Sequence, residues 1–206
     1  MQPSPLRTTA KSADTRAAIV RGALQALEAH GIANTTTRKI ASEAGVRLAT
    51  LHYHFDSKDT LLLAVLDALV AELTQILRAE TQATECLDDR IAGLVRAAWR
   101  YAEQTAAKQI VQFELTLYAL RTRGATWLAE RQYGDYVRVY GDLLASGAGV
   151  TLSAPRAQTL ARFVLASIDG MILQSLAGLS ACDAKQGVEA LIVAAQARAR
   201  ALSAEP

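Results

Sequence analysis

The chain has 206 residues, a formal net charge of +2 and an apolar share of 51%, in which 41 residues are alanine. That share excludes a disordered chain, and 12 Gly, 4 Pro and 2 Cys exclude a collagen-like or disulfide-stapled one. Alanine is the strongest helix former and few breakers interrupt it, so the composition points to an all-α protein of one or two domains with a sizeable core.

The charge is uneven. Residues 1–60 hold 8 Lys and Arg against 5 Asp and Glu, with all three histidines, whereas residues 61–206 hold 14 against 15. A basic N-terminal quarter suits a polyanion, although a solvated surface has the same composition. Cys86 and Cys182 stand far apart with no metal-ligand spacing and read as free thiols of a reducing cytosol. No apolar run of membrane-spanning length is evident, and residues 1–13 lack the apolar core of a signal peptide. The expectation is a cytoplasmic protein without a membrane partner.

In chain order, residues 1–13, with Pro3 and Pro5, read as a flexible tail. Ile19, Val20, Ala23, Leu24 and Leu27 predict a helix over 14–30, with Asp14 near its start and Gly31 just past its end. A short helix follows over 36–44, its threonines able to cap the first turn. Gly45-Val46 breaks it, and a second short helix runs over 47–54. Asp56-Ser57 caps a long helix that carries Leu61, Val65, Leu69 and Leu73 and reaches about Thr81. Five more helices are predicted over 88–104, 108–122, 126–146, 155–177 and 183–202, with Gly147-Ala148-Gly149 as a helix-ending loop. That makes nine helices and no segment that demands a strand.

Residues 35–61 carry the chemistry. Two short helices joined at Ala44-Gly45-Val46 form a helix-turn-helix, with Gly45 taking a turn conformation that a Cβ would oppose. Ile40, Ala41, Val46 and Leu51 can lock the pair together, leaving Arg47, Leu48, Thr50, Tyr53 and His54 on the outer face of the second helix. Such a helix can enter the major groove, where threonine meets base edges and Tyr53 and His54 can donate to phosphates. The competing reading is an αα-hairpin inside a helical core, in a helical interaction protein without specific DNA binding.

The run Gly31, Thr36-Thr37-Arg38-Lys39-Ile40-Ala41, Ala44-Gly45-Val46, Ala49-Thr50-Leu51, His52-Tyr53-His54-Phe55, Ser57-Lys58 and Leu61-Leu62 resembles the DNA-binding domain of the tetracycline-repressor (TetR) family over residues 14–61. The resemblance implies an all-α homodimer that reads a palindromic operator of double-stranded DNA through domains at residues 14–60. It also implies that residues 61–206 bind a small-molecule effector and dimerise. Carried over position by position, Thr37 and Arg38 match positions that touch phosphate or a base. Leu48, Ala49, Thr50, Tyr53 and His54 match the reading helix, and Lys58 matches a phosphate contact. His52 stands where tyrosine is commoner, and an imidazole can still bond a phosphate. Arg47 stands where a small cap is frequent; it cannot cap the helix but can reach phosphate or a guanine edge.

Other chemistry fits poorly. His52 and His54, two apart on a helix, do not share a face, so no metal is expected. No nucleophile is assembled with a base, so there are no catalytic residues and the protein reads as no enzyme, with no cofactor. Glu85, Asp88 and Asp89 read as a helix N-terminus. Tyr133, Tyr136 and Tyr140 share one helix face. With Trp99, Phe113, Leu117, Tyr118 and Met171 they are candidates for the wall of an effector cavity that would suit a small hydrophobic molecule with a few polar atoms; the other reading is that they are core. Arg96 and Arg121 are the possible partners of an anionic group. The last two helices resemble the family's dimerisation pair. Ala161, Val164, Leu165, Ala166, Ser167 and Ile168 on one, and Ala190, Ala194, Ala195, Ala197 and Ala199 on the other, would permit close approach to a second copy.

Overall fold

The computed structural model describes residues 5–82, 84, 86–146 and 152–204, with side chains from residue 11 onward. Glu85 and the loop expected at 147–149 lie outside the described residues. Among the described residues the fold is all helical: α1 (Pro5–Asn34), α2 (Thr37–Glu43), α3 (Leu48–His54), α4 (Lys58–Thr81), α5 (Leu87–Gln104), α6 (Ala106–Arg121), α7 (Thr126–Ala145), α8 (Ala154–Leu176) and α9 (Ala181–Ala204).

The helix starts follow their local chemistry. Thr36 caps α2, its side chain accepting from the Lys39 N–H at 3.3 Å. Ser57 and Thr60 satisfy each other's backbone N–H at 3.1 Å ahead of α4. Arg47 sits at the N-cap of α3 without a side-chain capping bond. Asp88 and Asp89 do fall in the first turn of α5, after the N-cap Cys86.

Two expectations need correction. Residues 5–13 are not a loose tail, because α1 begins at Pro5; a proline in the first turn forfeits an N–H that no carbonyl would accept there. The helix departs from helical geometry at Gly31 (φ 69°), where the sequence placed its stop. The reading that no helix could span a membrane also fails on length and composition, since α4 and α8 are both long and apolar enough. In α4 the reason is internal packing, with Leu61, Leu62, Val65, Leu66, Leu69, Leu73 and Leu77 all buried within the chain.

The helices sort into two compact units, and these do not follow the linear division at residue 60. One gathers the chain up to Leu69 with Ile110–Glu130; the other gathers Val70–Gln109 with the chain from Arg131 onward. The first unit's core explains its composition. Ile19, Ala23 and Leu27 of α1, Ile40 and Ala41 of α2, Leu51 of α3 and Leu61 to Leu69 of α4 bury against Val111, Leu115 and Ala119 of α6 and Leu128 of α7. The helix-turn-helix alone has too little apolar surface for such a core, so a later segment completes it. In the second unit α5, α8 and α9 pack together around Ile91, Leu94, Val95, Leu160, Val164, Ile168, Val188 and Ile192.

Candidate nucleic-acid interface and effector region

The turn between α2 and α3 is built on Gly45, with φ 64°, and closed by the Val46 N–H donating to the Ala41 carbonyl at 2.9 Å. Leu51 is the buried anchor of α3. Ile40, Ala41 and Leu51 point into the core and fix the inner face of the motif. On the outer side Arg47, Ala49, His52 and Tyr53 are exposed, and Thr50 and His54 are half-buried. Tyr53 is 82% exposed, and its ring meets His54 edge-on at 5.3 Å. The free energy lost by leaving so large a ring in water has no return within the chain, which makes Tyr53 the strongest sign of a binding face. Arg38 is exposed at the start of α2, and Thr37 is half-buried beside it. Leu48 lies half-buried against the core, so its side chain is largely taken up in holding α3 in place.

Thr50 sits on the outer face one turn before His54. Replacing Thr50 with alanine is expected to cost about 1–3 kcal/mol at one base pair and to relax the preference there. Binding to a library of single-base operator variants measures this, and an unchanged selectivity profile would refute it.

Lys58 has partners inside the unit. Its Nζ donates to the Ile32 carbonyl at 3.2 Å and the Thr35 carbonyl at 3.4 Å, and lies 5.4 Å from the centre of the Tyr118 ring. Burial lowers its pKa, with Asp59 opposing. The ammonium therefore satisfies carbonyls at and just past the end of α1, a positioning task that the sequence did not reveal. Lys39 does the same at Asn34, donating to its carbonyl at 3.0 Å. Glu114 of α6 completes this corner, its carboxylate accepting the Ile32 N–H at 2.8 Å, while Tyr118 donates to Asp59 at 3.0 Å.

The residues expected around an effector divide between the two units. Phe113, Leu117 and Tyr118 belong to the first unit, and Leu117 is exposed. Tyr118 is engaged with Asp59 and Lys58 as above. Trp99, Tyr133, Tyr136, Tyr140 and Met171 belong to the second unit. Met171 packs where α9 presents Gly187: a Cβ there would lie 3.1 Å from the methionine methyl, so Met171 fills the α8–α9 contact. Trp99 lines a cleft of about 180 Å³ with Ala102 and Glu103 of α5, Ala106 of α6, and Ile172 and Leu176 of α8. Tyr136 and Tyr140 are buried, with Tyr133 half-buried on the same face of α7. Arg96 is held by both oxygens of Glu189, at 3.1 and 2.8 Å.

Asp169 of α8 is a further member that sequence reasoning missed. Its carboxylate accepts from the Tyr133 hydroxyl and acts on the phenols of Tyr136 and Tyr140. Burial pushes this carboxyl up to about 6, despite the opposing hydrogen bond. The folded state then holds the proton more tightly than the unfolded one. The group's contribution to stability is complete below about pH 4 and is lost as pH rises through 6. Asp169→Asn is therefore expected to become more stable relative to wild type as pH rises from 5 to 8. Thermal midpoints of the two proteins across that range test this, and parallel curves would refute it.

An exposed reading helix, a rigid turn and basic side chains beside it define a helix-turn-helix DNA-binding protein. The family model for bacterial regulatory proteins of the tetR family matches residues 19–65. The helix-turn-helix regulator BetI of Rhizobium meliloti is 31% identical over 162 residues, covering 78% of this chain and 78% of its own. The nicotine-responsive transcriptional repressor HdnoR of Paenarthrobacter nicotinovorans is 26% identical over 164 residues, covering 80% of this chain and 84% of its own. A crystal structure of a TetR-family regulator from Rhodococcus shares the fold, with TM-score 0.71 at 19% identity over 90% of this chain and 98% of that one. The chain belongs to the TetR family. It is a DNA-binding transcriptional regulator and not an enzyme.

Proposed function

We propose that the protein is a cytoplasmic, ligand-responsive repressor that binds a palindromic operator as a homodimer and is released by a small hydrophobic molecule. The observation that carries this reading is the outer face of α3, where Tyr53 is exposed without a packing reason. Each protomer supplies one α3 to a major groove. Thr50 and Ala49 meet bases, while Arg38, Arg47, Thr37, His52, Tyr53 and His54 meet phosphate or groove edges. Lys58 remains a candidate phosphate contact in addition to its carbonyl partners. A small-molecule effector is in line with a relative that is named as nicotine-responsive, and the Trp99 cleft of the second unit is its candidate site. A ligand acts there only through its differential affinity for the DNA-competent and DNA-incompetent states.

The dimer uses the faces of α8 and α9 that the chain itself leaves uncovered. Val164, Leu165, Ile168, Ala195 and Ala199 are already buried in the protomer. What remains outside is Phe163, Ala166 and Leu173 on α8, and Ala190, Val193, Ala194 and Ala197 on α9 at helical spacing. Two copies meeting across a two-fold axis would bury both stripes in a four-helix arrangement. A gel-shift with the DNA upstream of the gene tests the whole reading. Salt-sensitive binding to a palindrome is expected. Failure to bind any upstream fragment would leave a helical interaction protein instead.

A further inference from the structure

Arg121 reads in the sequence as a possible partner of an anionic effector group. It belongs instead to the first unit, which holds the helix-turn-helix. It is the last residue of α6, and Arg123 follows in the turn to α7. Both are exposed, and among the described residues neither meets a carboxylate. In the second unit Arg96, Arg100, Lys108 and Arg200 each hold an acid. A cation paired within its own chain has little charge left for a polyanion, whereas a bare one keeps it.

The edge of α6 that carries Arg121 is placed by its neighbours. Glu114, Tyr118 and Arg121 fall at i, i+4 and i+7 and so follow one edge of the helix. Glu114 accepts the Ile32 N–H at 2.8 Å, and Tyr118 donates to Asp59, in the first turn of α4, at 3.0 Å. Both acids of this corner are thereby bonded elsewhere than to Arg121. Lys58 begins α4, with its Nζ 5.4 Å from the centre of the Tyr118 ring. Arg121 lies three residues beyond Tyr118, about 4.5 Å along the axis, a gap that its long side chain spans. The row of candidate phosphate contacts, Thr37 and Arg38 at the start of α2 and Lys58 at the start of α4, thus continues onto α6.

The turn itself is fixed. The Thr122 N–H donates to the Tyr118 carbonyl at 2.9 Å, and the Ala125 N–H to the Thr122 carbonyl at 3.0 Å. Ala119, Ala125 and Leu128, on either side of Arg121 and Arg123, are buried in the core that also takes Leu51 of α3. A cation on such a frame is held in register with α3 and loses little freedom when an anion meets it.

We propose that Arg121 is a DNA contact outside the helix-turn-helix, binding a backbone phosphate next to the position proposed for Lys58. Arg123, two residues on, adds to the positive field there. A guanidinium takes two phosphate oxygens at once, and it does so whatever the base pair. The contact therefore strengthens binding without choosing the sequence, which stays with α3. This rests on the reading of α3 as the helix that enters the major groove.

The test uses the full chain and two duplexes of one length, a fragment from upstream of the gene and one of random sequence. Affinity is measured from low to high salt for wild type, Arg121→Gln, Arg121→Lys and Arg78→Gln. Arg78 is an exposed arginine in the last turn of α4, in the second unit, and controls for net charge. Arg121→Gln is expected to weaken both duplexes by the same factor, several-fold at low salt. Its log–log salt slope should fall by about one for each protomer bound. Arg121→Lys should keep the slope, since an ammonium also neutralises a phosphate. An unchanged slope in Arg121→Gln overturns the proposal, as does an equal fall in Arg78→Gln or a loss confined to the upstream fragment. A thermal midpoint of Arg121→Gln well below wild type would assign the side chain to the fold instead. Wild type that binds neither duplex defeats the regulator reading itself, whereas wild-type binding with the slope unchanged in Arg121→Gln defeats this contact alone.

Discussion

Replacing Gly22 with alanine is expected to destabilise the DNA-reading unit by about 1–3 kcal/mol and to weaken operator binding in proportion to the unit left unfolded or shifted. The glycine lies in the middle of α1, where alanine would ordinarily stabilise a helix. Here α1 crosses the end of α2 with no room between the backbones. A Cβ on Gly22 would lie 2.6 Å from the Ala44 nitrogen and 2.7 Å from its Cα. Both are main-chain atoms at the turn that aims α3, so relief requires the turn itself to move. The measurement is thermal unfolding beside operator affinity. An alanine variant as stable as wild type, with unchanged affinity, would show that the turn yields freely.

Val193→Glu is expected to leave a folded monomer whose affinity for the full operator falls by about 100-fold or more. Val193 is 62% exposed in the protomer, so a charge there costs the isolated chain little. In the proposed dimer it would be buried between the protomers, where an unpaired carboxylate from each cannot be tolerated. Loss of dimerisation removes the effective concentration that couples the two half-sites. Sedimentation gives the oligomeric state, and titration of operator and half-operator gives the affinity. A variant that remains dimeric would move the interface away from α8 and α9. A monomer with full operator affinity would remove the need for a dimer at all.

Much of this protein was legible in its residues. Helix positions follow from the spacing of apolar side chains, because a helix returns the same face every three to four residues whatever lies nearby. The turn followed from Gly45, since its conformation is set locally, and the reading face followed from the residues left over once Ile40, Ala41 and Leu51 were assigned inward. The family resemblance rested on this same stretch.

Tertiary structure alone decided which distant segments share a core. Nothing local in Val111, Leu115 or Leu128 says that they complete the helix-turn-helix unit, because an apolar face records that it will be buried but not against what. For the same reason the sequence offered Lys58 only as a phosphate contact, and its carbonyl partners Ile32 and Thr35 are set by the fold. Nothing in the residues beside Gly22 says that Ala44 will stand against it. Nothing local marks Asp169 either, and only the fold sets the Tyr133 hydroxyl against it. Periodicity and turn chemistry are properties of neighbouring residues, and the sequence carries them directly. Burial, partner charge and close approach belong to residues that meet only when the chain has folded.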